Sequence, residues 1–273
     1  MPITNPARDL PLLAAWRLGV PLRPLRALAL GDHAPLRVWL AAESALRLAE
    51  ARRDAHADLA TLEALGARLV TPADEDWPAG FADLRDPPAF LAVRGPLPPT
   101  GVAIVGARDA DDRARSFAHD LAARLRQPII SGLARGIDAA AHRGAIAAGV
   151  PTVAYVGTGI ARTYPPEHAE LAEAIVGADG ALAAERAPHD GVTRWSLVRR
   201  DRLQAAHAAA TVLVVSDAEG GAMHTMQFAR ACGRPRFALE TEASGNVAAL
   251  REGAQRLPWD VEEAASRILA VLP

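Results

Sequence analysis

Glycine and arginine recur in this chain where short apolar runs stop and helical spacing begins. Gly106-Ala107-Arg108 is the first such place. Glycine lets the backbone turn tightly enough for amide N–H groups to converge on an anion, and Arg108 adds a fork of donors. The second is Ser131-Gly132-Leu133-Ala134-Arg135-Gly136-Ile137-Asp138, where Gly132 and Gly136 bracket a turn that opens a helix. Unpaired N–H groups and the helix dipole at such a start favour negative charge. Asp138 suits capping that helix or orienting Arg135. His142 follows four residues later on the same helical face, so the two suit either a catalytic pair or a structural hydrogen bond. Third comes Gly157-Thr158-Gly159, where two glycines suit close approach of a ligand or of another loop. Tyr164, a little further on, has a ring that would stack on a base or pack on Pro165. A basic run follows, Arg194, Arg199, Arg200 and Arg202, read as lying just before a helix. Last, Asp217-Ala218-Glu219-Gly220-Gly221 leads to Thr225 on a further helix.

The elements that must hold these loops alternate in type. Apolar runs over residues 102–105, 129–130, 152–156, 181–184, 211–215 and 236–239 read as strands. Helical spacing lies between them over 113–125, 137–148, 166–176, 203–209 and 223–232. Strand alternating with helix implies an α/β, doubly wound, mainly parallel sheet of Rossmann-like form. The runs are near-continuously apolar because helices cover both faces. In such a sheet ligands sit at the carboxyl ends of the strands, where the glycine- and arginine-rich loops fall. A closing helix is expected over 261–272.

Before this sheet, residues 1–66 read as a small helical domain. Its spacing predicts helices over 10–18, 22–30, 36–48 and 58–65, punctuated by Gly19, Pro21, Pro24, Gly31 and Pro35. Residues 67–99 read as an irregular, extended lead-in rich in proline and aspartate, with one short strand over 90–93. The Rossmann-like domain is expected over 100–273.

Composition narrows the chemistry. Half the 273 residues are hydrophobic but only 4% are aromatic, so the core must be built from Ala, Leu, Val and Ile. One cysteine, Cys232, excludes an internal disulfide and argues against a cysteine-built zinc site. No metal and no cofactor is expected. The N-terminus shows no apolar signal core and no apolar run is long enough to span a bilayer, which predicts a cytoplasmic protein without membrane contact. The net charge of −2 is unlike that of a protein that coats duplex DNA, so nucleic-acid contact must come from a local patch. All 30 basic residues are arginine, which forms bidentate phosphate contacts and stacks on bases. No G-x-G-x-x-G follows the first strand. A chain without lysine cannot complete a Walker A loop, and no G-x-S-x-G elbow is present.

Taken in order, these motifs resemble the DprA/Smf DNA-processing family. The run from Ser131 to Asp138, with Ala141-His142, Thr158-Gly159 and Tyr164-Pro165, matches that family's SGxAxGID…AH…G…YP pattern. Gly106-Ala107-Arg108 matches its G[SA]R loop. Asp76-Trp77-Pro78 and Asp86-Pro87-Pro88 to Gly95 match its lead-in, and Gly245-Asn246 with Gly253-Ala254 its closing motifs. The resemblance covers residues 74–257. It departs at Arg200-Asp201-Arg202, where the family has Arg-Asn-Arg, at Gly220-Gly221-Ala222-Met223-His224-Thr225, and at Leu239-Glu240. It also leaves no room for the C-terminal winged helix of many members.

The resemblance implies a single-stranded DNA-binding protein that self-associates as a homodimer and helps load RecA recombinase on incoming DNA. It implies no catalytic residue. Arg108, Arg135, Arg200 and Arg202 would clamp phosphates, aided by N–H groups of Gly106, Gly132 and Gly221. Ser131, Gly136, Gly157, Gly159, Gly220 and Thr225 would complete the site, and Asp138, His142, Tyr164 and Asp201 would support it. Asp201 would either pair with a neighbouring arginine and repel phosphate, or cap a helix beginning near Leu203. The alternative is a nucleotide-binding sensor or nucleotide hydrolase of the same superfamily. Gly220-Gly221 to Thr225 distantly resembles the PGGxGTxxE motif of the LOG-type phosphoribohydrolases, but Gln227 and Phe228 are not acids.

Overall fold

A computed structural model describes residues 4–273. Four helices come first: α1 (Pro6–Arg17), α2 (Leu22–Ala29), α3 (Ala34–Leu40) and α4 (Ala45–Ala64). The expected helix over 36–48 is broken. Its second half belongs to α4, because Ser44 turns to an extended backbone and accepts a hydrogen bond from the Arg47 N–H, starting a new helix.

The lead-in is more regular than its composition suggests. It supplies β1 (Ala67–Val70) and β2 (Leu91–Arg94), paired antiparallel. From there strand and helix alternate: β3 (Gly101–Val105), α5 (Asp112–Leu125), β4 (Ile129–Ser131), α6 (Ile137–Ala147), β5 (Thr152–Tyr155), α7 (Ala169–Gly177), β6 (Ala181–Ala184), α8 (Arg194–His207), β7 (Ala208–Leu213), α9 (Ala222–Ala231), β8 (Arg236–Leu239), α10 (Ser244–Arg251), β9 (Gln255–Leu257) and α11 (Val261–Leu269).

One nine-stranded sheet results, in the order β1-β2-β6-β5-β4-β3-β7-β8-β9. From β6 to β9 every pair is parallel, while β2 joins β6 antiparallel. The doubly wound, mainly parallel sheet expected from the alternation is therefore present. Strand order reverses at β3, whose neighbours are β4 on one side and β7 on the other. That switch point leaves a crevice at the carboxyl ends of β3, β4 and β7.

Both faces of the sheet are buried. Val102 and Ile104 of β3 pack with Phe117 and Leu121 of α5, Ile137 of α6 and Ile268 of α11. On the other face, Ala103 packs with Tyr155, Leu203 and Ala206, and Val105 with Met223 and Met226 of α9. The N-terminal helices do not stand apart from this core. Leu12, Leu13 and Leu62 share one apolar cluster with Phe90, Leu171 and Leu182 beside the antiparallel end of the sheet. Each such side chain, fully buried, stabilises the fold by about 1.5–3 kcal/mol. Among the described residues no helix is long and apolar enough to cross a membrane, and no group of three potential metal ligands is assembled.

Candidate nucleic-acid interface

The crevice at the switch point is a groove of about 740 Å³, continuous through shared walls with a recess of about 220 Å³. Its floor begins with the loop after β3. A Cβ on Gly106 would lie 2.6 Å from Ile137 Cγ1, so only glycine lets this turn sit against the start of α6. The Ala107 N–H donates to Val215 O, and the Ile137 N–H donates to Ala107 O at 3.2 Å. These bonds hold the loop and send Arg108 outward, exposed, into both hollows.

The loop after β4 is organised by Asp138. Its carboxylate accepts from the N–H groups of Gly132 at 3.1 Å and Ala134 at 3.3 Å. The Gly132 N–H is therefore satisfied from within and is not presented to a ligand, contrary to the expectation from sequence. Burial pushes the Asp138 carboxyl upward, opposed by Arg200 and by the loop donors. Leu133 adopts a left-handed backbone, φ 61°, with its side chain buried in the apolar cluster of the N-terminal helices. Gly136, φ 71°, packs onto the carbonyls of Ala107 and Arg108, joining the two loops. Arg135 between them is exposed, its nearest acid Glu167 at 3.9 Å and equally exposed.

His142 and Asp138 form no pair. Thr152 donates its hydroxyl to Ile129 O at 2.9 Å and so accepts from His142 Nδ1–H at 2.7 Å. Burial, together with Arg200, lowers the imidazole to about 3, so the ring is neutral. Nε2 is enclosed without a hydrogen-bond partner.

The third wall is α8, and here the structure departs most from the reading of the sequence. The helix does not begin near Leu203 but at Arg194. Thr193 caps it, accepting from the Ser196 N–H while Ser196 Oγ accepts from the Thr193 N–H, both at 2.9 Å. The arginine run is thus helical, and successive residues point about 100° apart. Arg194, Leu197, Val198, Asp201 and Gln204 line the groove. Arg200 lies at its floor, donating from Nη1 to Tyr155 O at 2.8 Å, with its Nε 2.9 Å from Asp201 Oδ1 in an ion pair. Its guanidinium occupies the space a side chain at Gly132 would need.

Arg202 is turned away. It is 2% exposed and donates from Nη2 to both oxygens of the buried Glu185, at 2.8 and 2.6 Å. A guanidinium committed to that buried pair cannot clamp a phosphate in the groove. Asp201 does not cap a helix start: it sits mid-helix, paired with Arg200.

Of the remaining expected residues, Gly220, Gly221 and Thr225 line the groove's far side, and Gly157 and Tyr164 the recess, Tyr164 bordering both. Ser131 is fully buried, donating to Ile104 O at 2.7 Å. Gly159 abuts the carbonyls of Ala187 and Pro188, so its role is loop packing. Sequence reasoning missed Leu197, Val198, Gln204 and His224 as groove residues. The three- and four-residue spacing of Arg194, Leu197, Val198 and Asp201 was the available signal.

A sequence model of the family described as DNA recombination-mediator protein A matches residues 68–268. A DNA processing protein DprA of Mycobacterium tuberculosis is 35% identical over 222 residues, covering 72% of this chain and 57% of its own. Protein Smf of Escherichia coli is 30% identical over 195 residues, covering 69% and 52%. The chain thus spans about half the length of these curated relatives. In fold, DNA processing protein A of Streptococcus pneumoniae superposes with a TM-score of 0.72 at 22% identity, covering 97% of this chain and 93% of that one. The protein of the same name from Helicobacter pylori, described for its single-stranded DNA binding mode, gives 0.67 at 24% identity over 75% and 97%.

Proposed function

The chain belongs to the DNA recombination-mediator protein A family, and we propose that its groove binds single-stranded DNA by the phosphate backbone. The observation that carries this reading is the convergence of Arg108, Arg135 and Arg200 on the hollows at the sheet's switch point. Two of these arginines are exposed and free to follow a strand, and the third is fixed by Tyr155 and Asp201. Phosphates are held by such forks without regard to sequence. Tyr164, exposed at the rim, offers a ring face for a base. The single-stranded DNA described for the Helicobacter pylori relative supports the same ligand. The separation of His142 from Asp138 favours binding over catalysis. A role in passing the strand to a RecA-type recombinase belongs to the same proposal and is supported by the family description of a recombination mediator; self-association as a homodimer is proposed on the family resemblance alone.

The test is a titration with oligothymidylates of increasing length, read by fluorescence anisotropy and by thermal shift. Affinity and stabilisation should grow with length, and Arg108→Ala should weaken binding while lowering the salt slope by roughly 1. A full thermal shift from a mononucleotide, with no gain from longer strands, would instead assign the groove to a small nucleotide. Equal affinity and slope for the variant would remove Arg108 from the interface.

A further inference from the structure

The groove floor carries a carboxylate that competes for its own arginine. Asp201 lines the groove with its side chain 10% exposed, 2.9 Å from Arg200 Nε. Arg200 already gives Nη1 to Tyr155 O. Asp138, buried on α6 but lining the same groove, is a second carboxylate drawing on Arg200. One buried guanidinium cannot neutralise two carboxylates and a phosphate together. We propose that strand binding is coupled to proton uptake at Asp201: the protonated carboxyl admits a phosphate to Arg200, and the charged carboxylate holds that arginine back. This rests on the reading of the groove as a single-stranded DNA site.

The charged and titratable groups that face Asp201 are few enough to name. Its own helix brings Arg200 and Arg194. From α6 come Asp138 and, behind it, His142, and the loop after β3 adds Arg108 and Asp109. Asp217 and Glu219 follow β7, and His224 stands on α9. Burial pushes the Asp201 carboxyl up to about 7, with Asp138 adding to the shift and Arg200 and Arg108 opposing it. It therefore titrates near neutrality. His142 does not, being lowered to about 3. His224 is the histidine that lines the groove, so it has its own variant as a control.

An incoming phosphate stabilises the protonated form, so the carboxyl's pKa is higher in the complex than in the free protein. Above the free value, binding takes up a proton, and affinity falls by up to about tenfold per pH unit. Below it the dependence flattens.

The experiment titrates one oligothymidylate at fixed salt from mildly acid to mildly alkaline pH, for the unaltered protein, Asp201→Asn and His224→Gln. The unaltered protein should bind several-fold more weakly at alkaline pH. Asp201→Asn should bind more tightly there and lose the slope, whereas His224→Gln should keep it. Calorimetry on the unaltered protein, in buffers of different ionisation enthalpy, gives a readout free of any folding defect: proton uptake at alkaline pH is expected. An unchanged slope in Asp201→Asn, or strand binding without proton uptake, overturns the coupling while leaving the groove as a DNA site. No binding by any of the three proteins removes the groove reading and the coupling with it.

Discussion

Gly132 and Arg200 show how closely the groove depends on single side chains. The guanidinium of Arg200 lies where a methyl group on Gly132 would stand. Gly132→Ala should therefore push Arg200 off Tyr155 O and out of the floor, weakening strand binding at least about tenfold. Overpacking of this kind costs about 1–3 kcal/mol, so the protein should still fold. An oligonucleotide titration beside a denaturant midpoint checks both, and unaltered affinity would show that the guanidinium's position is immaterial. Residue identity alone could not tell Arg200 from Arg202, since both flank Asp201 in a symmetrical tripeptide. One faces the groove and the other the buried Glu185, because a helix turns by about 200° over two residues. That helix was hidden by its cap. Thr193 and Ser196 make a reciprocal box with serine where Glu or Gln would announce it.

At the level of elements, the loops are placed by how closely α5 and α6 approach. A Cβ on Gly144 of α6 would fall on the His119 carbonyl of α5 and 2.8 Å from its Cα, both backbone atoms that cannot yield like a flexible side chain. Gly144→Ala should force the helices apart and destabilise the fold by about 1–3 kcal/mol or more, read as a lower denaturant midpoint. Because α6 carries Asp138, strand affinity should fall as well. A variant as stable as the parent would mean that the helices separate without strain. The central strands were legible because each is a near-continuous apolar run, and β6 and β8 have the bounds their composition implies. The edge strands were not. β9 is three residues long with two exposed, and β1 reads only Ala-Arg-Leu-Val among polar neighbours. Pairing with an existing edge makes them strands, and pairing partners are not written in local composition.

At the scale of the whole molecule, buried titrating groups set how the fold responds to acid, and they pull in opposite directions. His207 donates from Nε2 to Pro98 O at 2.9 Å and accepts from the Tyr155 hydroxyl at Nδ1, 2.8 Å. Burial lowers it to about 4, as it lowers His142 to about 3. Both rings are near 6.5 when unfolded, so below that value the unfolded chain takes up protons that the folded one refuses. Their contribution to stability is complete above about pH 6.5 and is lost as pH falls towards the folded values. Asp201 acts in the opposite sense. With its carboxyl pushed up to about 7, the folded protein binds a proton between about pH 4 and pH 7 that the unfolded chain does not, which offsets part of the histidine loss. The unaltered protein should therefore lose stability gently between about pH 6.5 and pH 5, and Asp201→Asn steeply. Above about pH 7 the order should reverse in favour of the variant, since an amide there leaves no buried charge to desolvate, a gain on the order of a few kcal/mol. Denaturant midpoints for the two proteins across that range decide it. Parallel curves would show that Asp201 keeps an ordinary carboxylate's affinity for protons in the folded state.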